Sequence, residues 1–240
     1  MPGSAGHSVL IAALAGGRPG RPQQAILDEL RRAILSGEVP PGTPIPVDEA
    51  ADLFGVSRIP IRESLKTLIG EGLVDHQPRA GYTVARLTLA ELSELYIVRG
   101  VLERAALTAA VAQADVQDDQ RATAALDALD AAIRADDYLA YQRESRSFHV
   151  ALMTPSRMHR LLHMVESVWN ITEPFQPMAH ITDMARGELH AEHREMLRAF
   201  LARDAAALQA AAGNHQHHLE ESIAALPDDS GLFTGRPTPA

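Results

Sequence analysis

The order of short elements in the first third of the chain constrains the fold more than any other feature of the sequence. Helical spacing of apolar residues, Gly and Pro stops, and a later switch to strict alternation predict these elements. In chain order they are a helix from Pro22 to Gly37, a Pro-Pro-Gly turn at 40–42, helices over 47–54 and 57–71, and strands over 74–77 and 82–86 joined by the loop 78–81. Two helices around a tight turn, followed by a hairpin, predict a winged helix-turn-helix domain in residues 21–87.

The second helix of this pair carries a row of cations. Ser57 is a good N-cap, because its hydroxyl can accept from an unpaired amide of the first turn. Arg58, Arg62 and Lys66 are spaced by four and point outward together. The apolar residues expected to pack inward are Ile61, Leu65, Leu68 and Ile69. Cations at this spacing are also found on the solvent-exposed face of an ordinary basic helix. The turn before the helix and the wing after it favour the other interpretation, a recognition helix whose N-terminal residues contact DNA bases.

The rest of the chain is predicted to be an all-α bundle over residues 88–226, which makes the fold class mainly α. Its apolar spacing is helical throughout, with breaks at Asp115, Asp136, Pro155 and 174–177. About six helices are predicted, over 88–112, 116–135, 137–153, 157–173, 186–203 and 204–226. Residues 1–20 and 227–240 lack sustained periodicity, so a disordered tail and a loose tail are expected there.

The distribution of charge permits DNA binding despite a net charge of −9. Residues 1–87 contain nine basic and nine acidic residues, so the whole excess lies in the second part. Affinity for DNA depends on where the cations lie, because it comes from counterions released at the contacted phosphates.

The chain has no cysteine, which excludes disulfides and is typical of the cytoplasm. No apolar run approaches the ~18 residues of a membrane span, so a cytoplasmic protein without a membrane partner is expected.

Three histidines lie in the middle of predicted inward faces of three helices, namely His149, His193 and His215. The last two helices form a hairpin near Asp204, eleven residues from each histidine, which sets both imidazoles at the same height, ~16 Å from the turn. A single buried histidine is usually an ordinary core residue. Three histidines at the same height in the bundle are costly to bury without a partner, and their nitrogen atoms suit a divalent ion such as Zn, Ni, Fe or Co. His190, His217 and His218 fall mostly off these faces and are interpreted as surface residues.

Arg99 lies on an inward face of the first bundle helix. Its guanidinium either forms a structural salt bridge, with Glu103 or Glu144, or binds a ligand carboxylate. Arg146 and Asn170 are weaker candidates for the wall of an effector pocket. A metal ion with open positions beside an arginine would suit a small organic acid.

Residues 22–86 resemble the GntR-family winged helix. The residues that carry the resemblance are Pro40-Pro41-Gly42, Gly55-Val56-Ser57-Arg58-Ile59-Pro60-Ile61-Arg62-Glu63 and Gly72-Leu73-Val74. The resemblance implies that the operator is contacted by Ser57, Arg58, Ile59, Arg62 and the wing around Arg79 and Gly81, and Lys66 extends the cationic row. Asp48 stands where some relatives carry a basic residue, so no phosphate contact is expected from its helix.

The helical part is similar to the FCD effector domain of the FadR subfamily, closer to the shorter VanR-like branch. The matching residues are Arg99-Gly100-Val101-Leu102-Glu103, Phe148-His149, Glu192-His193-Arg194 and His215. The resemblance implies a fourth protein ligand, Asp or Asn, one turn before the Phe-His pair. Ser145 stands there and is a poor ligand, so a weaker metal site is expected, with water or effector oxygens in the vacant positions.

These features together predict a ligand-responsive DNA-binding transcription regulator and not an enzyme. The expected form is a homodimer on pseudo-palindromic double-stranded operator DNA, a repressor released by a small carboxylate effector beside a divalent metal ion. One alternative is a DNA-binding protein without an effector. The other is a metalloenzyme with a DNA-binding head, which is disfavoured because the chain has neither His-Glu-x-x-His nor Glu-x-x-His.

Overall fold

A computed structural model of the chain describes residues 8–15, 23–226 and 233 and divides into two compact units. The first unit contains residues 1–88, 170–175 and 228–240, and the second contains residues 89–169 and 176–227. Ten α-helices and one small sheet occur within the described residues, so the prediction of a mainly α fold is confirmed. No helix in those ranges is both long enough and apolar enough to cross a membrane.

The first unit is a winged helix-turn-helix, as predicted, with one helix added before it. Its elements are α1 Val9–Ala13, α2 Gln23–Leu35, β1 Pro44–Ile45, α3 Val47–Phe54, α4 Arg58–Gly70, β2 Val74–Gln77 and β3 Gly81–Val84. The strands form an antiparallel sheet in the order β1-β3-β2. Strand β1 has only two residues, too few to show alternation in the sequence, and it turns the predicted two-stranded wing into a three-stranded sheet.

The turn between α3 and α4 depends on a glycine. Gly55 has φ 64°, in the left-handed region that side chains with a Cβ disfavour, and its N–H donates to carbonyls of the last turn of α3. Beyond it, α4 buries Ile61, Leu65 and Leu68 against the core of the unit. Ile69, which was expected to pack inward, is 38% exposed, because one residue beyond Leu68 rotates it about 100° off that face.

The N-terminal helix α1 is the main departure from the predicted fold. The prediction of a disordered tail over residues 1–20 is wrong for residues 8–15, while residues 1–7 and 16–20 lie outside the described residues. Leu10, Ile11 and Leu14 are buried in the same hydrophobic core as α2, α3 and α4. Five helical residues are too few to establish a period of 3.6 in the sequence.

Two polar contacts from α2 fix this N-terminal segment. Arg32 donates from Nη2 to the carbonyl of Ala13 at 2.8 Å, and Glu29 Oε1 accepts from the N–H of Ala15 at 2.8 Å. Helix α1 is therefore tied to α2 at its C-terminal end as well as through its apolar side chains.

The second predicted tail, residues 227–240, is described at Phe233 alone, and its other residues lie outside the described ranges. Phe233 is buried, and its ring stacks on Phe175 with the centroids 6.1 Å apart. At this residue the expectation of a loose tail is wrong, because the ring finds an aromatic partner.

The six predicted helices follow along the chain. They are α5 Leu89–Val111, α6 Val116–Arg134, α7 Tyr138–Met153, α8 His159–Thr172, α9 Asp183–Leu201 and α10 Ala205–Ala224, with 3₁₀ turns at Thr154–Ser156, Glu173–Phe175 and Pro177–Ala179. They lie in the second unit except for the last residues of α8, 170–172, which belong to the first unit together with the turn after them. Side-chain caps start four of these helices, at Asp115, Asp137, Thr182 and Asp204. Helix α9 begins three residues earlier than predicted because the Thr182 hydroxyl accepts from the N–H of Ala185.

Leu10→Ala should destabilise the first unit by about 2–5 kcal/mol, because it leaves a cavity in a fully buried position. Val9→Ala on the same helix is the control, since Val9 is 54% exposed, and it should change stability by less than about 0.5 kcal/mol. Hydrogen exchange at the amides of α2 and α4 in the full chain measures the effect. Equal exchange rates in the two variants would show that α1 does not contribute to the core.

Candidate functional site

A groove between α4 and the wing is the first candidate site. Its volume is about 850 Å³. The helix side presents Ile59, Arg62 and Lys66, and the wing side presents His76, Arg79, Gly81 and Tyr82. Five of the seven residues expected at the operator therefore share one groove, and the other two, Ser57 and Arg58, lie at the N-terminal end of α4.

The wing holds its groove residues through an unusual backbone. Arg79 has φ 72° and Gly81 has φ 92°, both in the left-handed region that a tight hairpin tip requires. His76 and Tyr82, which the sequence analysis missed, pair across the hairpin with their rings 4.4 Å apart. On the opposite wall Ile59 is 70% exposed, and an exposed apolar side chain of this kind can contact a thymine methyl group.

Ser57 lies at the N-cap of α4 but does not cap it. A capping hydroxyl accepts from the second or third amide of the helix, and the third residue here, Pro60, has no N–H. The structure gives the Ser57 side chain no capping hydrogen bond, so the predicted cap is wrong. The exposed hydroxyl thus faces solvent at the helix N-terminus.

Two cations of α4 are paired with carboxylates. Arg58 forms a salt bridge with Asp48 of α3, and Lys66 Nζ lies 2.7 Å from Glu63 Oε1. Both pairs are largely exposed, and exposed pairs contribute ~1 kcal/mol or less. DNA phosphates can therefore replace these carboxylates at little cost.

The second candidate site is the histidine cluster inside the second unit. His149 on α7, His193 on α9 and His215 on α10 are all buried, and each offers a ring nitrogen within 4.8 Å of the others. His149 Nε2 lies 3.2 Å from His193 Nε2, and the rings of His193 and His215 are 4.4 Å apart. The α9–α10 hairpin turns at Asp204 and sets its two imidazoles side by side.

Each imidazole of the cluster has a partner at its other nitrogen. Glu103 Oε2 lies 3.0 Å from His149 Nδ1, and Glu192 Oε2 lies 3.1 Å from His215 Nδ1. The Tyr141 hydroxyl lies 3.5 Å from His193 Nδ1. Such outer partners fix the ring orientation of metal ligands and leave Nε2 of each ring for an ion. The residues therefore fit a divalent metal with three nitrogen ligands.

The protonation states of the cluster also suit a metal. Burial lowers the pKa of His193 well below its usual value, and the neighbouring histidines lower it further. Burial likewise lowers the pKa of His215, although its hydrogen bond to Glu192 opposes this. Burial opposes the charge of Glu103, but attraction to His149 and Arg99 prevails and lowers its pKa to about 2. The lowered pKa values of His193 and His215 favour neutral imidazoles, which is the state in which histidine binds metal ions.

Arg99 is buried beside this site and pairs with Glu103. It is 3% exposed, and its guanidinium carbon lies 4.3 Å from the ring centroids of both Tyr96 and Trp169. Its Nε is 3.1 Å from Glu103 Oε1, so the salt bridge with Glu103 is the alternative that the structure shows. Among the described residues this Nε has no hydrogen-bond acceptor in line with its N–H. Glu144, the other proposed partner, pairs with Arg143 instead.

The remaining predicted site residues are spread out. Ser145 lies one turn before His149 on α7 and is half-buried. Arg146 lies next to it with its guanidinium carbon 5.9 Å from the Trp169 ring centroid. Asn170 lies on α8 directly after Trp169, and its part in an effector pocket stays a prediction.

His190 was expected at the surface, and that prediction is wrong. The side chain is buried, and its Nε2 lies 2.7 Å from Asp130 Oδ1 on α6. A carboxylate from another helix makes this burial possible, and the sequence gives no sign of that pairing. His217 is exposed as expected, while half-exposed His218 pairs with Glu192.

The amino-acid sequence matches two known families. Residues 22–84 match the gntR family of bacterial regulatory proteins, and residues 94–218 match the FCD domain. The chain belongs to the GntR family and carries an FCD domain. It is a DNA-binding transcriptional regulator. The alternative of a metalloenzyme is wrong, because both families and the relatives are transcriptional regulators and not enzymes. The assignment to the FadR subfamily and its VanR-like branch stays a prediction.

Relatives of the same kind extend over most of the chain. The HTH-type transcriptional regulator YdhC of Bacillus subtilis is 27% identical over 70% of this chain and 76% of its own length. The HTH-type transcriptional repressor GlaR of Escherichia coli is 25% identical over 74% of this chain and 84% of its own. A GntR-type regulator structure from Rhodococcus sp. RHA1 superposes with a TM-score of 0.74 at 26% identity, covering 84% of this chain and 96% of that one.

The pKa shifts of the histidine cluster predict a pH-dependent stability once metal is removed. Below pH 6.5 the unfolded chain binds protons at His193 and His215 that the folded chain excludes, so the free energy of unfolding falls as the pH falls from 7 to 5. His193→Gln should make this slope shallower, and His217→Gln, at an exposed histidine of α10, should leave it unchanged. Chelator-treated protein melted at a series of pH values provides the measurement; a melting temperature that rises toward pH 5 would contradict the assignment.

Proposed function

We propose that this regulator is a cytoplasmic repressor that binds a pseudo-palindromic operator as a homodimer. A small carboxylate, bound beside a divalent metal ion in the FCD domain, releases it. The observation that carries the proposal is the convergence of three buried imidazoles whose outer nitrogens all have polar partners. A protein that only binds DNA has no need of such a cluster, which disfavours the alternative without an effector.

The groove of the first unit supplies the DNA-binding part of the proposal. Arg62 and Lys66 from α4 and Arg79 from the wing line one concave surface with exposed Ile59. The helix would read base edges in the major groove, with the wing along the phosphates. Because only these three cations line the described groove, one such unit has few phosphate contacts, which favours two units acting together.

The ligand set of the FCD domain explains why an acid is the proposed effector. The three histidines are neutral ligands, and Ser145 stands where a carboxylate ligand is expected. The charge of a divalent ion would be balanced only at a distance, by Glu103 and Glu192. An anionic ligand in an open coordination position would supply the missing negative charge, so the ion and the acid should bind cooperatively.

Arg62→Ala should weaken operator binding about tenfold or more, because one good base contact contributes ~1–3 kcal/mol in each half-site. The matched control is Arg198→Ala, which removes an exposed arginine paired with Glu195 in the second unit. Fluorescence anisotropy with an operator selected in vitro by the wild-type protein measures both. Unchanged affinity of Arg62→Ala, with the fold intact by circular dichroism, would mean that α4 does not read the operator.

Metal should be sub-stoichiometric in the purified protein and approach one ion per subunit when Zn or Ni and a carboxylate such as lactate are supplied together. Loaded protein should melt at a higher temperature than chelator-treated protein, because an ion bound only by the folded state stabilises it. Ser145→Asp should tighten metal binding without the acid.

Two histidine variants provide the control for this metal experiment. His193→Ala should abolish the chelator-sensitive change in melting temperature, and His217→Ala, at a side chain 67% exposed on α10, should retain it. The proposal is contradicted if elemental analysis finds no ion after loading and chelator does not change the melting temperature. The three histidines would then be ordinary core residues.

A further inference from the structure

A second concave site lies between α7 and α8 in the second unit, and we refer to it as the α7–α8 cleft. Its volume is about 440 Å³, within the ~300–1,000 Å³ typical of small-molecule sites. Apolar side chains form much of its wall, namely Val150, Met153, Leu162 and Val165. The basic side chains are those of Arg146, His159 and His163, and Trp169 also lines the cleft.

The cleft is separate from the histidine cluster. None of the three clustered histidines is among the described residues that line it. Trp169 is the side chain that connects the two regions, since its ring lies 5.8 Å from the His149 ring and its Nε1 donates to Glu103 Oε1 at 2.9 Å. The indole N–H of Trp169 is therefore hydrogen-bonded on the side of the histidine cluster, and the indole contributes only apolar surface to the cleft.

The hydrogen-bond donors of the cleft favour an anion. Its described lining holds one arginine and two histidines against a single carboxylate, Glu166. A guanidinium binds a carboxylate through two parallel hydrogen bonds, and the histidines at the rim can donate to the same oxygens. The apolar wall and the indole, in contrast, offer nothing to a small hydrophilic acid and suit a hydrocarbon or aromatic ring.

We propose that the α7–α8 cleft binds a carboxylic acid with an apolar or aromatic body, independently of the metal ion. The carboxylate lies at Arg146, and the body lies against Val150, Leu162 and Trp169. The chain then has two small-molecule sites, a metal-dependent site for a small acid and a metal-independent one for a more hydrophobic acid.

Intrinsic fluorescence tests this directly, because Trp169 is the single tryptophan of the chain. Benzoate should change the emission with a saturable dependence on concentration. Acetate, which lacks the ring, and benzyl alcohol, which lacks the charge, should each bind at least about tenfold more weakly, since each loses one of the two contributions. Equal responses to all three probes, or no saturable response to benzoate at millimolar concentration, would overturn the proposal.

Variants on α7 locate the probe. Arg146→Gln should weaken benzoate binding about tenfold or more, and Arg143→Gln should not, because Arg143 is an exposed arginine of the same helix that pairs with Glu144 outside the cleft. Val150→Phe, at a half-exposed position of the wall, should fill the cleft and block binding without disturbing the core. Wild-type affinity in both Arg146→Gln and Val150→Phe would place the probe elsewhere.

Removal of metal separates this site from the proposed effector site. Benzoate should bind chelator-treated protein and His193→Ala with an affinity within about twofold of the untreated wild type, because no clustered histidine lines the cleft. Loss of benzoate binding in those samples would assign the acid to the metal centre and overturn the proposal of a second site. Because binding is read without operator DNA, failure here leaves the proposed repressor function to be judged by its own tests.

Discussion

The buried carboxylate of Glu103 on α5 connects its own helix with α7 and α8. One oxygen accepts from Trp169 and lies 3.1 Å from Arg99 Nε, and the other lies 3.0 Å from His149 Nδ1. A charge in a protein interior is tolerated only when it is paired and hydrogen-bonded, and removal of one partner of such a group is strongly destabilising. Helices α5, α7 and α8 are thus held in a fixed relation by one anion, and the orientation of the His149 ring follows from it.

This arrangement gives Arg99 a structural role, and a role in binding the effector stays a prediction. Its guanidinium lies between two aromatic rings and balances the charge of Glu103, so it keeps the carboxylate ionised for His149. A guanidinium in this position stabilises the surroundings of the histidine cluster by stacking and charge, a role for which the planar arginine is better suited than lysine. Removing it for a ligand would leave Glu103 with an uncompensated buried charge, which is why the proposed effector is assigned to the open positions of the ion.

Local patterns predicted most of the fold, and contacts between distant segments account for what was missed. The helix order and the level of His193 and His215 follow from spacing along single helices and from one hairpin. The burial of His190 depends on Asp130, sixty residues away, and no local pattern indicates that pairing. Ser57 makes no cap although it was predicted to, and the sequence contains part of the reason, since Pro60 removes one of the two amides that could donate to its hydroxyl. The helix over residues 9–13 was too short to have a period, and its burial is set by the core it meets.

The charge pattern of the first unit explains why regulation can act through geometry. Arg58 and Lys66 already have carboxylate partners, so binding to phosphates exchanges one ion pair for another, and the gain comes mainly from released counterions. With few such contacts, a single unit is expected to bind DNA weakly, and affinity in the proposed dimer would arise from two units bound to one operator at once. The effective concentration of the second unit depends steeply on its distance from the second half-site. A ligand that changes this spacing by a few ångströms can therefore release the operator without altering any residue of the groove.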